Sequence, residues 1–236
     1  MTPVDATSTL SSEIPRTFAA PLAVSLQYPN PSAPVHAFAI PEFTITTCAN
    51  SLSFTISGRS DLKNKRIIAV GRLTKQKGFD FLIEAAVLIR EQLPDWHIDI
   101  FGSGEDKSDL QAQINSLNLE KFVKINPPTK NIQCELLKSS IYLMTSRWEG
   151  LPMILIEAKS CGLPCVSFDC PEGPADIIKH SEDGFLVELG DIKTLVRYVV
   201  ELATDEKLLN RYSQSAIINS LEFSPTIIFP KWDSIL

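Results

Sequence analysis

The chain has 236 residues, 44% hydrophobic and 21% charged, an ordinary composition for a soluble globular protein and enough for one large domain or two small ones. A formal net charge of −6 argues against nucleic acid as the main partner. The apolar run at residues 18–24 is broken by Pro21 and far too short to span a bilayer, and no basic segment opens the chain as a secretory signal would.

Residues 1–60 stand apart. Seven of the sixteen prolines lie there, and only six charged residues occur up to Asp61. Proline at that density breaks helices and central strands, so this segment is expected to be irregular, with a short strand at residues 43–47. From Arg66 the pattern changes to short apolar runs alternating with amphipathic stretches. Residues 67–70 form the first apolar run, closed by Gly71. A helix is expected at residues 79–93, with Phe79, Leu82, Ile83, Ala86 and Leu93 on one face and Asp80, Glu84 and Glu91 off it. Pro94 ends it. A second strand at 97–101 precedes a helix at 106–117, a third at 123–125 precedes a short helix at 131–139, and a fourth occupies 141–145. A helix carrying Glu157 leads to a fifth strand at 165–168. A sixth at 184–187 precedes helices at 192–203 and 206–220. This alternation predicts a parallel sheet covered on both faces.

Five cysteines (Cys48, Cys134, Cys161, Cys165 and Cys170) make an odd count without a paired framework, and the last three lack the histidine and spacing of a zinc site. They are read as buried reduced thiols of a cytosolic protein.

In a doubly wound sheet, ligands sit beyond the carboxyl ends of the strands. The loop after the first strand reads Gly71-Arg72-Leu73-Thr74-Lys75-Gln76-Lys77-Gly78. It offers an arginine fork and lysine point charges, which suit a diphosphate. After the second strand, Gly102-Ser103-Gly104 begins like a dinucleotide fingerprint, but the third glycine is replaced by Lys107. The third loop contains Pro127 and Pro128. The fourth reads Arg147-Trp148-Glu149-Gly150-Leu151-Pro152-Met153-Ile154-Leu155-Ile156-Glu157-Ala158. Pro152 suits a first helical turn, whose free amides and dipole favour an anion. Glu149 and Glu157 are eight positions apart, about 12 Å if all helical. They cannot share one proton or metal, but they can hold distant hydroxyls of one long ligand. The fifth loop is Asp169-Cys170-Pro171-Glu172-Gly173-Pro174-Ala175-Asp176-Ile177-Ile178. Each loop alone also fits a solvated turn, since charged side chains are mostly exposed. Their order, each at the end of an expected strand, carries the weight.

Over about residues 62–236 these loops resemble the donor-binding half of retaining glycosyltransferases of the GT-B fold, family 4. Gly71 to Gly78 is similar to that family's G-R-L-x-x-x-K-G stretch, and Glu149 to Glu157 to its E-x7-E signature. The fifth loop resembles a C-P-x-G-P-x-E-I-I stretch of cell-surface polysaccharide enzymes, with Asp176 where Glu is usual. The tail from Phe223-Ser224-Pro225 through Trp232 looks like the family's closing helix. The resemblance implies a Rossmann-like parallel sheet that transfers a hexosyl or N-acetylhexosaminyl group from a nucleotide diphosphate sugar, UDP being the expected nucleotide, to a sugar or lipid-linked acceptor hydroxyl with retention. It implies that Arg72 and Lys77 bind the diphosphate and stabilise its departure, and that Glu149 takes sugar hydroxyls. The amides around Gly150, Leu151, Pro152 and Met153 would face the phosphate side, and Glu157 the ribose diol, which a carboxylate can accept from twice. Gly71, Gly102, Gly104 and Pro128 would line the nucleotide through backbone. No D-x-D triplet occurs, so neither metal nor other cofactor is expected. His36, His97 and His180 fall outside these loops and receive no role.

The resemblance also implies a preceding acceptor domain, which 65 proline-rich residues cannot build. Residues 1–60 are therefore expected to be a remnant of it and 61–236 the donor-binding domain, cytoplasmic, with any attachment to the inner membrane face residing in the missing part. A non-catalytic nucleotide-sugar binding module stays open as an alternative, distinguished by binding without turnover. A nucleotide-sugar epimerase fits the two loops less well, and an oxidoreductase is disfavoured by Lys107.

Overall fold

The computed structural model describes residues 59, 60 and 62–233. The expected strand at 43–47, with His36 and Cys48, lies outside them.

Six strands make one sheet: β1 (Arg66–Val70), β2 (His97–Phe101), β3 (Val123–Asn126), β4 (Ile141–Met144), β5 (Cys165–Asp169) and β6 (Gly184–Glu188). All neighbouring pairs run parallel, in the order β3-β2-β1-β4-β5-β6. The strands are apolar on both faces because both are covered: Ile67, Ile68, Ile98, Ile100, Ile141, Leu143, Val166 and Phe168 are all buried. Between them run α1 (Phe79–Gln92), α2 (Lys107–Ser116), α3 (Ile132–Leu137), α4 (Met153–Ser160) and α5 (Pro174–Ile177). After β6 come α6 (Ile192–Thr204), α7 (Glu206–Ser220) and α8 (Pro225–Asp233). This is a Rossmann-like doubly wound sheet. Among the described residues no helix is long and apolar enough to cross a membrane.

The expected elements are present, with ends shifted by one or two residues, as fraying termini allow. Four of the five expected core positions lie in α1 and are buried, joined by Ala85 and Ile89, and the fifth, Leu93, is buried just past the helix end. Helix α7 begins where Asp205, the residue ending α6, accepts a hydrogen bond from the Leu208 amide at 3.0 Å. Two readings need correction. Pro152 is not inside the first turn of α4 but precedes it, as the residue from which the helix departs. Cys134 is exposed, whereas Cys161, Cys165 and Cys170 are buried and free as expected. Cys134 lies on α3, a helix of only six residues at the surface.

Order β3-β2-β1-β4-β5-β6 means that the chain winds outward from β1 on one side, then returns to wind outward from β4 on the other. Strands β1 and β4 pair directly, Ile67 with Ile141 and Ile68 with Tyr142. Their carboxyl ends bound the crevice where the winding direction reverses. The loops on its two lips are Gly71 to Gly78 and Thr145 to Pro152.

Behind the crevice, charge is buried in a way that periodicity could not foretell. Lys159, on α4, is fully buried and pairs with the equally buried Asp183 at 2.8 Å. Its ammonium also donates to the Ile177 carbonyl. Asp183 in turn accepts from the Lys179 amide at 2.9 Å and the Asn219 side-chain amide at 2.8 Å. This network ties α4 to the end of α5, the turn before β6, and α7. A second set sits near the amino end of β1, where Arg66 reaches Asp99 at 2.6 Å and Glu135 at 2.9 Å.

Candidate functional site

The loop after β1 is short and held from three sides. Its Gly71 amide donates to Phe101 at 3.0 Å, and its Leu73 amide to Ser103 at 2.9 Å. The Gly102 amide donates onward to Asn126 at 3.0 Å. The first three loops are thus stitched side by side over the strand ends. The stitching requires contact that only glycine permits at Gly102, where a Cβ would overlap the Gly71 carbonyl oxygen. Gly104 follows in the same turn, against Leu73. Pro128 is exposed in the loop after β3.

Residues Lys75–Lys77 form one turn of 3-10 helix, which Gly78 terminates in the left-handed conformation (φ 61°) before α1 begins. The adjoining loop after β4 clamps this turn. Arg147 forms a two-pronged pair with Asp80 (2.8 and 2.6 Å), donates to the Lys75 carbonyl at 2.9 Å and lies over the Phe81 ring at 4.1 Å. Its guanidinium holds the Asp80 carboxyl below the usual aspartate range. Gln76 donates to the Trp148 carbonyl at 3.0 Å, and the Arg147 amide to the Gln76 carbonyl at 2.8 Å. Sequence reasoning assigned nothing to Arg147 or Asp80, and their spacing of 67 residues left no local signal.

The clamp places Lys77 against Glu149. The ammonium donates to Glu149 Oε1 at 2.6 Å, with only 16% and 7% of the two side chains exposed. The buried Ser146 hydroxyl donates to that same oxygen at 2.6 Å. Lys77 was read as serving the diphosphate and Glu149 the sugar; here the two side chains are in direct contact. Arg72 is exposed and has no ion-pair partner among the described residues. Around the rim, Trp148, Leu151 and Met153 are large apolar side chains in solvent.

Helix α4 begins at Met153, so its first free amides belong to Met153 and Ile154, preceded by Gly150 and Leu151 on the exposed approach. Pro152 has no amide to offer. The Leu155 amide already bonds the Pro152 carbonyl at 2.9 Å. Glu157 lies in the second turn, half-buried, and burial pushes its carboxyl above the ordinary glutamate value. Beside the fourth loop, Cys170 is buried, and burial together with the Glu149 charge pushes its thiol up to about 11, leaving it neutral at physiological pH.

Such a site has a cationic lip, an amide-rich helix start and two acids at separate depths. It suits an elongated polyhydroxylated anion. Comparison with known proteins points the same way. Residues 55–218 match the family model described as glycosyl transferases group 1. The amylovoran biosynthesis glycosyltransferase AmsD of Erwinia amylovora is 40% identical over 174 residues, covering 74% of this chain and 48% of that protein. A mutant of S. aureus TarM, solved with Fondaparinux, alpha-GlcNAc-glycerol and UDP, superposes with a TM-score of 0.71 at 27% identity, over 84% of this chain and 38% of that one. The C-terminal domain of a glycosyl transferase group 1 family protein (LpcC) from Francisella tularensis shares the fold, with a TM-score of 0.62 at 21% identity over 71% of this chain and 89% of that domain. The chain spans about half the length or less of the curated relatives it matches.

Proposed function

The chain belongs to the glycosyl transferases group 1 family, of GT-B type, and we propose that it is the donor-binding half of a retaining family 4 enzyme acting in cell-surface polysaccharide synthesis. The donor is a nucleotide diphosphate hexose or N-acetylhexosamine, with UDP as the nucleotide, and the acceptor is a hydroxyl of a sugar or lipid-linked glycan. Residues 61–236 make up the donor-binding domain. UDP is favoured because TarM was solved with it and superposes over most of this chain. The polysaccharide role follows the amylovoran relative.

The observation that carries this reading is the Lys77–Glu149 contact at 2.6 Å. It brings the cationic loop after β1 and the acidic loop after β4 to one point at the switch in winding direction. In the proposed mechanism Arg72 and Lys77 take the diphosphate. The charge that develops on its leaving oxygen meets cations already held in place, so little reorganisation accompanies the step. The amides of Gly150, Leu151 and Met153 face the same phosphates from the dipole-positive start of α4. Glu149 accepts from sugar hydroxyls, and Glu157 accepts from both ribose hydroxyls. Gly71, Gly102, Gly104 and Pro128 bring backbone close to the nucleoside.

Calorimetric titration of the chain with UDP, GDP and ADP tests the donor reading. UDP is expected to bind tightest, and binding by none of the three overturns it. Incubation with a labelled UDP-sugar then separates a catalytic chain, which releases or transfers the label, from a module that binds without turnover.

A further inference from the structure

The geometry points to a charge latch at this site: Glu149 neutralises Lys77 until a diphosphate displaces it, and Ser146 is the positioning residue that keeps the released carboxylate aimed at the sugar. This inference deepens the donor-site reading and rests on it. The two side chains proposed for the diphosphate and for the sugar beside it are each other's partners. Lys77 Nζ and the Ser146 hydroxyl both donate to Glu149 Oε1 at 2.6 Å. All three groups are largely shielded from water.

An ion pair this well shielded is not exchanged for nothing. A diphosphate that draws the Lys77 ammonium out of this contact breaks the bond to Glu149 and leaves a carboxylate that is 7% exposed facing a second anion. Leaving a buried charge without its counter-ion is costly. A free nucleoside diphosphate bears that cost with nothing in return. A nucleotide sugar offsets it, because its hydroxyls donate to the carboxylate Lys77 has given up. Among the described residues Ser146 stays behind as the one donor to Oε1, just past the end of β4 and next to the clamped Arg147. The latch therefore makes sugar and diphosphate binding interdependent: the site favours the intact donor over the spent nucleotide, which helps product leave.

Substitution of Glu149 by Gln preserves shape and the Ser146 hydrogen bond while removing the competing charge. Binding is measured by calorimetry for wild type, Glu149→Gln and Ser146→Ala, each with UDP and UDP-glucose, GDP and GDP-mannose, and ADP and ADP-glucose. Thermal melts confirm that each variant is folded. The latch predicts that Glu149→Gln binds the free diphosphate more tightly than wild type, by on the order of fivefold for a partly shielded ion pair. The preference for nucleotide sugar over free nucleotide should shrink by a similar factor. Ser146→Ala should shrink that preference while its melting temperature stays close to that of wild type, a split that general loosening of the fold does not produce. Unchanged or weaker diphosphate binding by Glu149→Gln overturns the latch while leaving the donor site standing. If wild type binds none of the six ligands, the donor-site reading fails and the latch falls with it.

Discussion

Arg72 and Glu157 differ in what the free protein asks of them, and that difference separates binding from stability. Arg72 is exposed and without an ion-pair partner among the described residues, so Arg72→Ala should leave the melting temperature unchanged. A charge-assisted hydrogen bond contributes about 1.5–3 kcal/mol, so nucleotide diphosphate affinity should fall about tenfold or more by calorimetry. Glu157 is half-buried with its pKa raised by burial. Its folded pKa lies above its unfolded one, so ionising it costs the fold stability, and the penalty develops as pH rises through those two values. Glu157→Gln should therefore melt slightly higher than wild type at neutral pH. In the proposed donor mode, ribose recognition draws on the ionised form. Affinity for a nucleotide sugar, which lacks the secondary phosphate ionisation of a free diphosphate, should decline as pH drops through the raised Glu157 value. The Gln variant should bind more weakly at neutral pH and show a flat profile.

At the scale of elements, the turn from Lys75 to Gly78 decides where Lys77 points. Gly78 holds φ at 61°, and a Cβ there would overlap the Thr145 carbonyl oxygen on the facing loop. Gly78→Ala carries the left-handed penalty of about 1–2 kcal/mol and forces the two lips of the crevice apart. Its melting temperature should drop by roughly 4–8 °C for a total cost near 2 kcal/mol. Nucleotide binding should weaken more than that stability loss explains, since the turn that aims Lys77 is itself displaced. Asp80→Asn tests the clamp from the other side. It removes the charge that pairs Arg147, and since Asp80 is depressed by that pairing, the wild-type contribution is present above the unfolded aspartate pKa and fades as pH falls through the folded one. The stability difference between wild type and Asp80→Asn should therefore close in strongly acidic denaturant melts.

Across the whole molecule, helix α4 is held at both ends: by the crevice loops in front and by the Lys159–Asp183 pair behind. Both members are fully buried, so removing one strands the other. Asp183→Ala should cost about 3–5 kcal/mol in urea unfolding. The double variant Lys159→Met with Asp183→Leu, which removes both charges, should recover a large part of that loss. If the single and double variants are equally destabilised, the pair matters for shape rather than charge.

Much of the frame was legible in the chain. The alternation of apolar runs with amphipathic stretches after Arg66 marked all six strands, because strands buried on both faces must be apolar throughout. The G-R-L-x-x-x-K-G and E-x7-E spacings marked the two lips of the crevice because loop chemistry at strand ends is local in sequence. The C-P-x-G-P loop marked a Pro/Gly turn ahead of a helix, and α5 follows it, only four residues long. Tertiary structure alone decided which charges meet. Lys77 and Glu149 are 72 positions apart, and Arg147 and Asp80 are 67 apart. No periodicity links residues at such separations; only the return of β4 beside β1 does. Lysine is rarely fully buried, and Lys159 is a buried cation because Asp183, Ile177 and Asn219 close around it once β6 and α7 are in place.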